Sequence, residues 1–110
     1  MVHAIRVHET GGPEVLKWEE VDVGEPGEGQ VRVRHSAVGL NFIDCYFRSG
    51  LYPTELPYIP GAEGAGVIDA VGPGVTDLAV GDPVCYGTGP IGAYAEMRVM
   101  PAMYVVKRPD

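Results

Sequence analysis

Polar and apolar positions alternate most regularly over residues 31–38. Val31, Val33, His35 and Ala37 fall on one side and Arg32, Arg34 and Ser36 on the other. That period of two predicts a β-strand with one buried face. His35, among apolar neighbours, reads as a packed histidine rather than a metal ligand. Residues 4–8, 16–23 and 66–72 read as further strands, as do 83–86 and 103–107. Residues 94–100 alternate again, with Ala95, Met97 and Val99 on one side. Gly and Pro separate these runs: Thr10-Gly11-Gly12-Pro13, residues 24–29, Pro73-Gly74 and Gly81-Asp82 are turns.

One segment departs from the period of two. Over 41–49, Phe42 and Tyr46, and Ile43 and Phe47, stand four apart, as on one helix. Asn41 suits the N-cap, Asp44 can bond back toward it, and Gly50 stops the helix. Residues 51–60 contain three prolines and predict an irregular loop. The fold expected is mainly β, with about seven short strands and one short helix, curled into a closed or partly open barrel.

The chain has 110 residues, enough for one domain with a modest core. Sixteen Gly and ten Pro approach a disordered composition, but 45 % of residues are hydrophobic and the breakers lie between apolar runs, so a turn-rich β-protein is expected. Net charge is −7 and the eight basic residues are scattered, which argues against nucleic acid as a partner. The opening Met1-Val2-His3-Ala4-Ile5-Arg6 is no secretory leader, and no apolar run is long enough to cross a bilayer. A cytoplasmic protein with no membrane partner is expected. Cys45 and Cys85 then read as free thiols.

Two stretches invite a chemical reading. Gly87-Thr88-Gly89-Pro90-Ile91-Gly92 fits G-x-G-x-x-G, but the residues after it read as a strand, whereas a dinucleotide fingerprint must open a helix. It is read as a turn. Pro60-Gly61-Ala62-Glu63-Gly64-Ala65-Gly66 holds three glycines in six residues, which predicts tight turning or close approach; Glu63, if buried there, needs a partner. The His, Cys and carboxylate spacings give no metal site: C-x-x-C and H-E-x-x-H are absent.

The run Leu40-Asn41-Phe42-Ile43-Asp44-Cys45-Tyr46-Phe47-Arg48-Ser49-Gly50-Leu51-Tyr52-Pro53 resembles the signature of the NADPH:quinone oxidoreductases, the zeta-crystallin-like, zinc-independent branch of the medium-chain dehydrogenase/reductase superfamily. Residues 4–16 and 57–67, Val71-Gly72-Pro73-Gly74-Val75 and Gly81-Asp82-Pro83-Val84 resemble it too, in the family's order and over essentially the whole chain. The resemblance implies a GroES-like catalytic domain, a partly open β-barrel with one or two short helices, spanning residues 1–110. It implies NADPH as cofactor, a quinone or similar conjugated carbonyl as substrate, and a homodimer for the full-length protein. Where zinc-dependent relatives carry a cysteine and a histidine ligand, this chain has Asn41 and Ala62. Cys45 stands where threonine is commoner.

The same resemblance assigns Asn41 and Tyr46 to catalysis, Asn41, Phe42 and Tyr46 to the nicotinamide, and Tyr46 and Tyr52 to the substrate. A flat apolar quinone suits aromatic walls, and its carbonyl oxygen suits a hydroxyl donor. The plainer readings are that Asn41 only caps the helix and Tyr46 only packs on Phe42. The family continues into a Rossmann domain that this sequence lacks, so the chain is expected to be inactive alone, as a fragment or a free-standing domain. Two other functions compete: an enone or alkenal reductase of the same superfamily, and a non-enzymatic GroES-like oligomer.

Overall fold

The computed structural model describes residues 2–108. Seven strands and one α-helix occur among the described residues, in two sheets that stay open. β1 (Val2–Val7) pairs antiparallel with β2 (Leu16–Val21), joined through a 3-10 turn at Pro13–Val15. The larger sheet has five strands, all antiparallel to their neighbours, in the order β6-β3-β4-β5-β7. Its strands are β3 (Gln30–Val38), β4 (Gly64–Val71), β5 (Pro83–Tyr86), β6 (Met97–Pro101) and β7 (Val106–Lys107). Helix α1 (Phe42–Ser49) follows β3. Two single bridges, Ala4 to Ala95 and Val7 to Tyr58, bind the small sheet to the rest.

The alternation in β3 works as its pattern predicts over residues 31–35; after a register shift past His35, Ala37 is exposed. Val31 and Val33 are fully buried, while Arg32 and Arg34 point outward, where both bond Asp69 of β4, at 2.7 and 2.9 Å. The two guanidiniums, Arg32 first, hold the Asp69 carboxyl below the usual carboxylate range. Ile68, Val84, Met100 and Leu78 complete the main core around Val31 and Val33. A second, smaller core joins Val7, Val15 and Tyr58, with Phe47 of α1 packed against it. β3 and β4 approach so closely that a Cβ at Gly66 would overlap the Arg34 carbonyl oxygen, which is one reason for the glycines in this stretch.

Several expectations need correction. The strand predicted over 94–100 begins only at Met97, and its buried residues are Arg98 and Met100, on the side opposite Met97 and Val99. Residues 94–96 hold β1 while the Glu96 carbonyl still accepts the His35 N–H of β3 at 2.9 Å: the Ile5 N–H donates to the Tyr94 carbonyl at 2.8 Å and the Glu96 N–H to the His3 carbonyl at 2.9 Å. The strand expected over 103–107 starts as a 3-10 turn, Ala102–Tyr104, and pairs only through Val106–Lys107. Glu63, which would have needed a partner if buried, is exposed. Residues 87–92 form bends and no helix, in keeping with their reading as a turn.

Ile68 is 1 % exposed and central to the main core, so Ile68→Ala should lower stability by about 2–5 kcal/mol. Val80 is 65 % exposed, and Val80→Ala should change stability by no more than about 0.5 kcal/mol. Urea denaturation of both variants checks the assignment; equal losses would place the core elsewhere.

Candidate active site

Helix α1 starts where the sequence places it. Asn41 is the N-cap and Asp44 closes a capping box, its Oδ2 accepting the Asn41 backbone N–H at 3.0 Å. Gly50 ends the helix in the left-handed region, φ 88°. The helix is turned inside out, however. Its one buried residue is the charged Asp44, 5 % exposed, with Phe47 and Arg48 half-buried beside it. Phe42 (83 % exposed), Ile43 and Tyr46 face outward, flanked by exposed Leu40, Leu51 and Tyr52. Amphipathic helices bury the opposite stripe, so Phe42 and Tyr46 share a face without a core to fill.

The inner side is fastened at three points. The Tyr94 hydroxyl donates to Asp44 Oδ2 at 2.6 Å. Arg48 Nε donates to the Gly11 carbonyl at 3.2 Å, and the Gly11 N–H returns to the Arg48 carbonyl at 2.8 Å. Burial and the Asp44 bond push the Tyr94 phenol well above its ordinary pKa, so it stays a donor. Asp44 Oδ1 and the Tyr58 hydroxyl are buried without a partner among the described residues.

Aromatic rings lead from this helix into the small core. Tyr46 and Tyr52 meet edge to face at 5.4 Å and Tyr52 and Phe47 at 5.8 Å, while Phe47 and Tyr58 are tilted at 6.5 Å. The Tyr52 N–H donates to the Tyr46 carbonyl at 3.2 Å and folds the loop back on the helix. The structure thus brings Tyr46 and Tyr52 together. It sets Asn41 and Phe42 one turn away, at the start of the same helix, with Asn41 half-buried. Cys45 is a half-buried free thiol, as is Cys85.

A groove of about 880 Å³ lies next to this face, lined in part by Trp18, His35, Val38, Leu40, Tyr94 and Met97. It stops at Leu40 and includes none of Asn41, Tyr46 and Tyr52. Its histidine is already engaged. The Ala95 carbonyl, 2.8 Å away, only accepts, so His35 Nδ1 carries the hydrogen. Nε2 is then the acceptor for the Tyr86 hydroxyl at 2.7 Å, and Tyr86 in turn accepts from Arg98 at 3.4 Å. Burial first, and the Arg98 charge second, lower the His35 pKa. Among the described residues no three His, Cys, Asp or Glu side chains gather as metal ligands would, and no helix is long and apolar enough to cross a membrane.

Asp44 had a partial signal in sequence, its position three residues after the cap. Tyr94 had none, because its partner lies fifty residues earlier in the chain.

Residues 27–110 match the family model described as the alcohol dehydrogenase GroES-like domain. A quinone oxidoreductase of Pseudomonas aeruginosa is 51 % identical over 111 residues, covering 100 % of this chain and 34 % of that protein. A 2-haloacrylate reductase of a Burkholderia species is 49 % identical over 113 residues, covering 99 % and 34 %. A crystal structure of Escherichia coli quinone oxidoreductase complexed with NADPH superposes with a TM-score of 0.94 at 41 % identity, over 97 % of this chain and 33 % of that one. The chain therefore spans about a third of the length of the relatives it matches.

The His35 hydrogen bonds give a prediction with a definite sign. Because the folded-state pKa is lowered, the unfolded chain binds a proton near pH 6.5 that the folded chain refuses. Stability should therefore fall as the pH drops below about 6.5. Denaturant titrations at pH 7.5 and 5.5 should show a smaller difference in His35→Gln than in the parent; an identical difference would refute the neutral, doubly bonded histidine.

Proposed function

The chain belongs to the family of alcohol dehydrogenase GroES-like domains, and from that premise we propose that it is the substrate-side domain of a zinc-independent, NADPH-dependent quinone oxidoreductase of the cytoplasm. The observation that carries this reading is the outward apolar face of α1. A contiguous apolar surface on a small domain marks a place where something docks. Here it presents an amide, Asn41, beside three exposed aromatic rings, Phe42, Tyr46 and Tyr52. That set fits a flat nicotinamide ring bearing a carboxamide, and a flat quinone beyond it. The relatives named as quinone oxidoreductases, one of them complexed with NADPH, support the same substrate and cofactor. Asn41 and Ala62, at the places where zinc-dependent relatives hold ligands, support a metal-free site.

When bound, the cofactor supplies a hydride, which with one proton from solvent reduces a quinone to its hydroquinone. The residues of this chain orient and shield. Asn41 and Phe42 hold the nicotinamide end at the start of α1. Tyr46 and Tyr52, fixed edge to face, wall the quinone, and the Tyr46 hydroxyl donates to its oxygen as negative charge develops. The face is open to solvent on its outer side, so the second wall and most cofactor contacts come from a Rossmann domain outside these residues. The 110 residues alone are then inactive, because an untethered cofactor loses the orientation that hydride transfer needs.

The 49 % identity to a 2-haloacrylate reductase favours one rival, reduction of a conjugated alkene. Steady-state assays of the full-length protein with NADPH, against a quinone and against 2-haloacrylate, separate the two. Tyr46→Phe keeps the ring and removes the hydroxyl, and should lower kcat/KM for quinone by about 1–3 kcal/mol, roughly 5- to 150-fold. Asn41→Asp keeps the cap and should lose activity without losing stability. Wild-type kinetics in both variants would remove Asn41 and Tyr46 from the site.

A further inference from the structure

We infer that Asp44 is the positioning residue of this site, its buried carboxylate tying the start of α1, and so Asn41, Phe42 and Tyr46, to Tyr94 ahead of β6. The inference rests on the active-site reading above and adds residues to it. Asp44 Oδ2 takes two donors at once, the Asn41 N–H at 3.0 Å and the Tyr94 hydroxyl at 2.6 Å. Tyr94 is itself anchored, since its N–H donates to the Pro60 carbonyl at 2.9 Å and its carbonyl accepts from Ile5 of β1 at 2.8 Å. One carboxylate oxygen therefore joins the helix start to two distant stretches of chain.

The carboxylate sits where it must be held by specific partners. A buried carboxylate is costly, and Asp44 Oδ1 has no partner among the described residues. The helix meanwhile leaves Phe42, Ile43 and Tyr46 in solvent. Within these residues the apolar stripe gives α1 no hold, so its orientation depends on the contacts of its inner side. Phe47 and Arg48 hold the C-terminal half of α1, through the small core and the Gly11 carbonyl. Asp44 is what holds the N-terminal half, where Asn41 and Phe42 lie. Places that break the ordinary burial rule are where function is expected.

The test uses the full-length protein. Asp44→Ala removes the acceptor; Asp44→Asn keeps a carbonyl oxygen able to take both donors; Tyr94→Phe removes the distant donor alone. Displacing reacting groups by about 1 Å can lower turnover about a hundredfold. Asp44→Ala should therefore lower kcat for quinone at least about tenfold, with Tyr94→Phe smaller in the same direction and Asp44→Asn within about threefold of wild type. A readout independent of activity is chymotrypsin cleavage after Phe42, Tyr46 and Phe47 in native buffer. It should rise in Asp44→Ala and Tyr94→Phe but not in Asp44→Asn. Unchanged kcat and unchanged cleavage in Asp44→Ala would overturn the inference, as would equal damage in Asp44→Asn. If Asp44→Ala does not fold, Tyr94→Phe decides, with raised cleavage supporting the tie and unchanged cleavage overturning it. If wild-type protein reduces no quinone, the proposed function fails while the cleavage pattern still judges the tie.

Discussion

A single carboxylate oxygen, Asp44 Oδ2, takes the Asn41 N–H and the Tyr94 hydroxyl, and the outward face of the molecule depends on it. An eight-residue helix has little stability of its own. It must be held by tertiary contacts, and the usual contact, an apolar stripe against a core, is here pointed at solvent. Hydrogen bonds to a charged group contribute about 1.5–3 kcal/mol each. Two of them, with the Arg48 and Phe47 contacts at the other end, are on the scale needed to fix a short helix in an orientation that its apolar residues disfavour.

The rest of the fold supplies the anchorage. Residues 94–96 bridge β1 to the large sheet, which fixes the position of Tyr94. Tyr58 fills the small core from the proline-rich loop and is the inner end of the aromatic series that reaches Tyr46 and Tyr52. The outward face of α1 is thus connected to the small core.

Much of this was legible in the sequence. The period of two in residues 31–38 gave β3, because Val31 and Val33 do face a core while Arg32 and Arg34 meet solvent and Asp69. Asn41, Asp44 and Gly50 gave the bounds of α1, because caps are local chemistry. The inside-out orientation of α1 was not legible, since apolar spacing locates a stripe without saying which way it points. Which side of β6 faces inward was not legible either: Arg98 is buried by bonding the Pro90 and Ile91 carbonyls and Tyr86, partners that periodicity does not reveal. Tyr94 reaches Asp44 only through the folded sheet.

Helix α1 is held in place before any ligand arrives. Hydrogen–deuterium exchange of the ligand-free protein tests it most directly, at the Asn41 amide and along residues 45–50. The account predicts exchange at least about a hundredfold slower than in an unstructured peptide, an opening free energy of about 2.8 kcal/mol or more. Exchange at unstructured rates over those residues, with β3 and β4 still protected, would contradict it.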